Sequence, residues 1–156
     1  MKLPIRKYPD PVLSQKAAKI KDPLGKEVQE LIANMIETLH ANKNGVGLAA
    51  PQVGVSVRLC MIELEDTRYV LINPKITAKS RKKEICEEGC LSFPGEFYPV
   101  SRCSEVQVRY TDENGKPAKT KAQGLLARAF QHEIDHLDGI LFVSKVKKAN
   151  KIIKKS

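Results

Sequence analysis

Residues 131–139 read Gln-His-Glu-Ile-Asp-His-Leu-Asp-Gly and form the most informative stretch of this 156-residue sequence. Apolar residues at helical spacing precede and overlap this stretch, and together they predict a helix over Ala122–Leu137. They are Leu125, Leu126, Ala129, Phe130 and Ile134. Gly139 follows the helix, where a glycine can adopt the left-handed conformation that ends it. Positions i and i+4 share one helix face, so His132 and His136 can reach the same metal ion.

Glu133 projects about 100° around the helix axis from His132, beside such a site rather than in it. A neighbouring carboxylate is what a metal-bound water needs as its proton acceptor. The flanking apolar residues predict a helix that is buried on most sides, where an unpaired histidine would be costly. We therefore interpret the two histidines as metal ligands rather than as polar residues of a helix surface.

A catalytic site of this kind has three protein ligands and a water, so a third ligand is expected. Downstream of His136 the sequence contains no His, Cys or Glu and only Asp138, so the third ligand must lie upstream. The candidates are His40, upstream carboxylates and the four cysteines, at positions 60, 86, 90 and 103. Cys90 is favoured because the glycines and proline around it, in residues 87–95, can aim a thiolate at a metal. Cys60 is predicted to be a core residue, and core or edge thiols are expected at 86 and 103.

The segment 45–52, Gly-Val-Gly-Leu-Ala-Ala-Pro-Gln, contains a glycine pair that superficially suggests a nucleotide-binding loop. The segment has no third glycine, no Lys-Ser/Thr pair and a proline in the next turn, all of which argue against phosphate binding. Its small residues allow close approach of a ligand to the backbone and end in an amide donor at Gln52. An ordinary tight turn is an equal alternative for this segment taken alone.

The remaining pattern predicts a single α+β domain. Apolar residues at offsets of three and four indicate an N-terminal amphipathic helix over residues 26–42, whereas the proline-rich stretch 4–13 should be extended. Strand-like runs occur at 57–63, 68–72 and 105–110, and the last precedes a turn at Asp112–Gly115. The expected architecture is antiparallel strands packed around a central helix that carries the His-Glu-x-x-His pattern.

The net charge of +9 is unevenly distributed. Residues 145–156 hold six lysines and no acidic residue, so this basic tail carries two thirds of the net charge. The tail could form a short helix. The domain over residues 1–144 is nearly balanced in charge and poor in aromatic residues, which argues against a dedicated nucleic-acid binder. The sequence has no apolar run of membrane-spanning length and no secretory signal, so we expect a cytoplasmic protein with reduced cysteines.

Three segments in this order resemble the peptide deformylase family: residues 45–52, residues 87–95 (Glu-Glu-Gly-Cys-Leu-Ser-Phe-Pro-Gly) and residues 131–139. Pro9–Leu13 also looks like the family's N-terminal signature, and the resemblance extends over most of residues 3–143. It implies a catalytic deformylase domain that removes the N-formyl group from formyl-methionine at the start of new polypeptides and releases formate.

By this resemblance, Cys90, His132 and His136 hold the metal and Glu133 is the general acid and base. Gln52 and the backbone N–H of Leu91 would bind the formyl oxygen. Substrate-binding residues would be Val46, Gly47, Leu125 and Ala129, the last two as walls of a methionine pocket. The sequence departs from many bacterial members at residues 95–99, which contain no arginine; Arg102 is nearby.

The resemblance implies one divalent ion per chain, Fe²⁺ in the cell, with Zn²⁺, Ni²⁺ or Co²⁺ able to occupy the site. The expected partners are formyl-methionyl nascent peptides, with a ribosome contact through the basic tail as a candidate, and neither DNA nor membrane. An RNA- or ribosome-binding protein with a structural metal is the alternative from another class, but such a site has no need of Glu133. A zinc endopeptidase is disfavoured by the missing downstream ligand.

Overall fold

The computed structural model describes residues 1–42 and 45–146. The described chain contains two complete α-helices, α1 (Lys26–Ala41) and α2 (Gly124–Leu137), a helical segment over residues 143–146 at its C-terminal end, and two short 3-10 helices, Pro11–Ser14 and Ala50–Val53. Its seven strands are β1 (Gly47–Ala49), β2 (Leu59–Leu64), β3 (Thr67–Lys79), β4 (Lys83–Cys90), β5 (Phe93–Cys103), β6 (Glu105–Thr111) and β7 (Pro117–Gln123).

The strands form two antiparallel sheets. Five of them make a sheet in the order β1-β2-β3-β6-β7, and β4 pairs with β5 as a separate hairpin. The α+β class with antiparallel strands is therefore confirmed. The hairpin is inserted between β3 and β6 in the sequence but forms a separate sheet. Its residues contact α2.

The larger sheet is covered on both faces in the region of β2 and β3. In β2, Cys60 and Ile62 pack in the cluster with α2, whereas Leu59 and Met61 pack in the cluster with α1. Alternate residues of a strand point to opposite faces, so burial on both faces requires a continuous apolar run. The run Leu59–Ile62 meets this requirement, and all four of its residues are fully buried.

Helix and strand limits differ modestly from those expected. The second helix begins at Gly124 rather than at Ala122, because Ala122 pairs with Val106 in β7. Strands β1, β4, β5 and β7 were not predicted. Much of β4 and β7 is exposed and rich in charged residues, so neither strand shows the alternation of apolar and polar residues that marks a half-buried strand.

The expectations for the basic tail are tested only at its first residues. The described chain ends in helical residues 143–146, whereas residues 147–156 lie outside the described residues, so a helix there and the ribosome contact stay predictions, as does the domain boundary at residue 144. Among the described residues, no helix is both long and apolar enough to cross a membrane.

Gly139 ends α2 in the left-handed conformation, as expected, with φ of +73°, and a Cβ there would lie 2.7 Å from the Ser14 carbonyl oxygen. We predict that Gly139→Ala lowers the free energy of unfolding by more than the roughly 1–2 kcal/mol that left-handed backbone alone costs an alanine. Gly124→Ala is the matched control, because φ is +61° there but no atom lies within 4 Å of the added Cβ. Urea denaturation checks this, and equal losses for the two variants would contradict it.

Candidate metal centre and cleft

Three potential metal ligands from two elements meet at the floor of a cleft. Cys90 ends β4, whereas His132 and His136 are one turn apart on α2. Their ligand atoms all lie within 4.8 Å of one another, and Cys90 Sγ is 3.3 Å from His136 Nε2. A thiolate with two imidazoles is a donor set that suits a divalent transition metal. The group can therefore hold one metal ion.

Glu88 links the hairpin to α2 beside this group. Its Oε1 lies 2.9 Å from His132 Nδ1, so the hydrogen bond leaves Nε2 of that histidine to face Cys90 and the metal position. Metal-binding histidines commonly have such a partner, which fixes the ring orientation and its tautomer. Glu88 is only 7% exposed, and this contact therefore forms in a buried setting.

Two buried arginines complete the contacts of Glu88. Arg102, on β5, donates to both carboxylate oxygens at 2.9 and 3.0 Å, and its third bond goes to Asp135 of α2 at 2.5 Å. Arg128, on α2, donates to Glu88 Oε2 at 2.5 Å and to two backbone carbonyls of the hairpin, those of Glu84 and Val100. One carboxylate thus connects β4, β5 and α2.

These contacts shift the pKa values of the side chains around the site. Burial alone would raise the pKa of Glu88, but the hydrogen bonds from His132 and Arg102 hold it well below its ordinary value. For His132, burial is likewise outweighed, and hydrogen bonds with Cys90 and Glu88 raise its pKa to about 10. Burial, reinforced by the charges of His132 and Arg102, lowers the pKa of His136 well below its ordinary value.

Glu133 lies on the other side of the histidine pair and faces the backbone of β1. A Cβ on Gly47 would come within 2.6 Å of Glu133 Oε2, so only glycine leaves room for this carboxylate. Its Oε1 is buried and has no hydrogen-bond partner among the described residues. Burial raises the pKa of Glu133 to about 7, opposed by the charge of His132. An unpartnered carboxyl with such a pKa is suited to exchanging protons near neutral pH.

Gln52 brings an amide to the same place. Its Oε1 accepts a hydrogen bond from the Ala49 N–H at 2.9 Å, so its Nε2 must face the opposite way. That nitrogen lies 3.2 Å from Ser92 Oγ and 3.5 Å from Cys90 Sγ. The amide is almost completely buried, at 1% exposure, so its donor is held in a fixed direction toward the ligand group.

The ligand group opens into a cleft of about 720 Å³. All of the predicted substrate-binding residues line it, together with Gln52 and Leu91: Val46, Gly47, Leu125 and Ala129. The N-terminal segment forms another wall and ties two motifs together, because the Arg6 N–H bonds to the Gln52 carbonyl and the Tyr8 N–H to the Ser92 carbonyl. The stretch predicted to be extended therefore contributes directly to the cleft, although its last residues, from Pro11 onward, belong to the first 3-10 helix instead.

The other candidates for a third ligand lie elsewhere. His40 is exposed and pairs with Glu63, Cys60 is buried in the core, and Cys86 is exposed on β4. Cys103 is half-buried at the end of β5, where Gln131 bonds to its backbone N–H and carbonyl. Arg102, the arginine near the arginine-free segment 95–99, is hydrogen-bonded to Glu88 and Asp135.

A family model described as polypeptide deformylase matches residues 2–152. The chain belongs to this family. A peptide deformylase from Thermodesulfovibrio yellowstonii is 52% identical over 149 residues, which cover 92% of this chain and 88% of that protein. One from Halothermothrix orenii is 49% identical over 146 residues, with 92% and 93% of the two chains covered.

Solved peptide deformylase structures have the same fold. The crystal structure from Thermotoga maritima has a TM-score of 0.89 at 37% identity, covering 94% of this chain and 98% of that one. The structure from Synechococcus elongatus, in complex with actinonin, has a TM-score of 0.89 at 44% identity and covers 98% and 85% of the two chains. The protein is thus an enzyme that removes the N-formyl group from nascent polypeptides, as expected from the sequence.

Four residues support this deformylase site without having been predicted to do so from the sequence: Glu88, Ser92, Arg102 and Arg128. A usable signal existed for two of them. Arg128 precedes His132 by four residues and so shares its helix face, and Glu88 precedes Cys90 by two residues on one strand. A charged residue on the buried side of an element requires a buried partner of opposite charge.

We predict that Glu88→Gln lowers the free energy of unfolding by about 3–5 kcal/mol, because it leaves two buried guanidinium groups without their shared anion. The matched control is Glu63→Gln, which removes a partly exposed carboxylate that also pairs with an arginine and a histidine. That loss should stay below about 1 kcal/mol. Urea denaturation at a fixed excess of Zn²⁺, repeated with chelator, measures both, and similar losses would show that the Glu88 contacts add little stability.

Proposed function

We propose that deformylation takes place where the cleft meets the ligand group, with Cys90, His132 and His136 holding one divalent metal. The observation that carries this proposal is the convergence of three buried or half-buried donors beside Glu133, whose buried Oε1 has no hydrogen-bond partner among the described residues. The hydrogen bond that His132 Nδ1 donates to Glu88 Oε1 supports it, since it leaves the second ring nitrogen of that histidine for a metal.

A bound divalent ion supplies a nucleophile at neutral pH by lowering the pKa of water toward about 7. The donor set does not by itself select among Fe²⁺, Zn²⁺, Ni²⁺ and Co²⁺. We propose Fe²⁺ as the ion in the cell, on the basis of the family resemblance. The half-buried Cys90 thiolate would then make the iron-loaded enzyme sensitive to oxidation.

Glu133 is proposed to accept the proton of the attacking water and later to deliver it to the leaving amine. Its position supports both steps, because the carboxylate lies over the Gly47 backbone at the cleft and beside the histidines. Hydrolysis of the formamide produces formate and a free amine. A proton must therefore pass from the attacking water to the leaving nitrogen. A single carboxyl with a pKa of about 7 can perform both transfers.

Gln52 and the backbone N–H of Leu91 are proposed to bind the formyl oxygen as negative charge develops on it. The fixed orientation of the Gln52 amide supports this role, since a donor that is already in place needs no reorganisation during the reaction. Leu91 directly follows Cys90, so its N–H belongs to the backbone next to the ligand group. Each such donor typically contributes about 2.7–4 kcal/mol to transition-state stabilisation.

The methionine side chain is proposed to lie along α2, with Leu125 and Ala129 as walls. Both line the cleft on the helix face that leads to His132, and Leu125 is 59% exposed at its mouth. Gly47 and Val46 would flank the peptide backbone from the side of β1. An apolar wall with few charged groups suits the unbranched thioether side chain of methionine.

The test is release of formate from formyl-Met-Ala-Ser by anaerobically prepared, iron-loaded enzyme. We predict that Glu133→Ala retains one metal per chain but lowers kcat by about a hundred- to ten-thousandfold, the usual contribution of a general acid–base group. The control is Glu30→Ala, which removes an exposed carboxylate from α1. Near wild-type turnover by Glu133→Ala, or absence of formate release by metal-loaded wild type, would contradict the proposed mechanism.

A further inference from the structure

Phe97 stands apart from the other phenylalanines of this enzyme. It is 60% exposed, whereas the three remaining phenylalanines, at positions 93, 130 and 142, are at most 4% exposed. It also lines the cleft that leads to the ligand group, as do two more of the exposed large apolar residues, Val46 and Leu125. Exposed apolar residues that gather around one concave site mark a surface that contacts a ligand.

The ring of Phe97 is held over the backbone of β4. Phe97 pairs with Gly89 in the hairpin, and a Cβ on Gly89 would lie 2.5 Å from the Phe97 ring. Glycine at 89 therefore lets the ring lie across the strand at the residue before Cys90. The ring is an exposed apolar surface at the cleft, beside the end of β4 that carries Cys90, although Phe97 itself belongs to β5.

The two faces of the hairpin differ. Glu88 on β4 and Arg102 on β5 point toward α2, where they contact His132 and Asp135. Gly89 and Phe97 are directly paired and lie on the opposite face, because alternate residues of a strand point to opposite sides. Phe97 is thus on the face of the hairpin opposite the one that contacts α2, and it borders the cleft from another side than the proposed methionine walls.

Side chains of an extended peptide alternate in the same way. If the methionine side chain points toward α2, the side chain of the next residue points to the opposite side, where the Phe97 ring covers Gly89. We propose that Phe97 contacts the side chain of the residue that follows formyl-methionine and gives the enzyme a preference for apolar residues there. This inference rests on the proposed placement of the methionine pocket.

The experiment measures kcat/KM of the metal-loaded enzyme for formyl-Met-Leu-Ser and formyl-Met-Gly-Ser. For Phe97→Ala we expect the leucine-to-glycine ratio to fall about three- to tenfold, the range for loss of one aromatic contact. Phe97→Leu keeps an apolar side chain and should retain most of the ratio. Ile85→Ala is the matched control, since Ile85 is an exposed apolar residue of the same hairpin that does not line the cleft.

An unchanged ratio in Phe97→Ala, or an equal fall in Ile85→Ala, overturns the proposal. A second pair of peptides, formyl-Met-Leu-Ser and formyl-Ala-Leu-Ser, separates this outcome from failure of the proposed site. If Phe97→Ala alters the preference for methionine over alanine rather than the leucine-to-glycine ratio, Phe97 belongs to the methionine pocket and the inference is wrong. Absence of formate release by wild type would instead contradict the proposed mechanism itself.

Discussion

The buried carboxylate of Glu88 is the contact on which the site most depends. It accepts hydrogen bonds from a histidine and an arginine of α2 and from an arginine of β5, whereas Glu88 itself lies on β4. Without that anion, the hairpin and α2 would present two guanidinium groups to each other in a buried setting. With it, the end of β4 is held against α2, and Cys90 comes within reach of the histidine pair.

The larger sheet provides the rigid base for this junction. Strands β2 and β3 are enclosed between α1 and α2, and β1 at the sheet edge places Gly47 under Glu133. Gln52 lies in the short helix that directly follows β1. The glycine that faces the Glu133 carboxyl and the residue that carries the amide are therefore close neighbours in the sequence. The N-terminal segment then fixes the Gln52 and Ser92 carbonyls through its own backbone. Three distant segments of sequence thus form one wall of the cleft.

Much of this arrangement could be predicted from the sequence, and the remainder could not for physical reasons. The helical spacing of His132 and His136, and the lack of ligand residues downstream, favoured Cys90 as the third ligand. The structure brings these three residues together. The contacts of Glu88 join residues 14 to 44 positions apart, so no local pattern encodes them. The strands β4 and β7 were missed because their exposed, charged residues hide the strand period, and their pairing depends on partners elsewhere in the chain.

The central claim is that the thiol brought to α2 by β4 is a metal ligand. The most direct measurement is the absorption spectrum of the Co²⁺-loaded protein, in which a thiolate ligand produces an intense charge-transfer band. The band should be present in the wild type and in Cys86→Ser, which alters an exposed thiol on the same strand, and absent in Cys90→Ser. A band that persists in Cys90→Ser, or that disappears in Cys86→Ser, would contradict this account of the site.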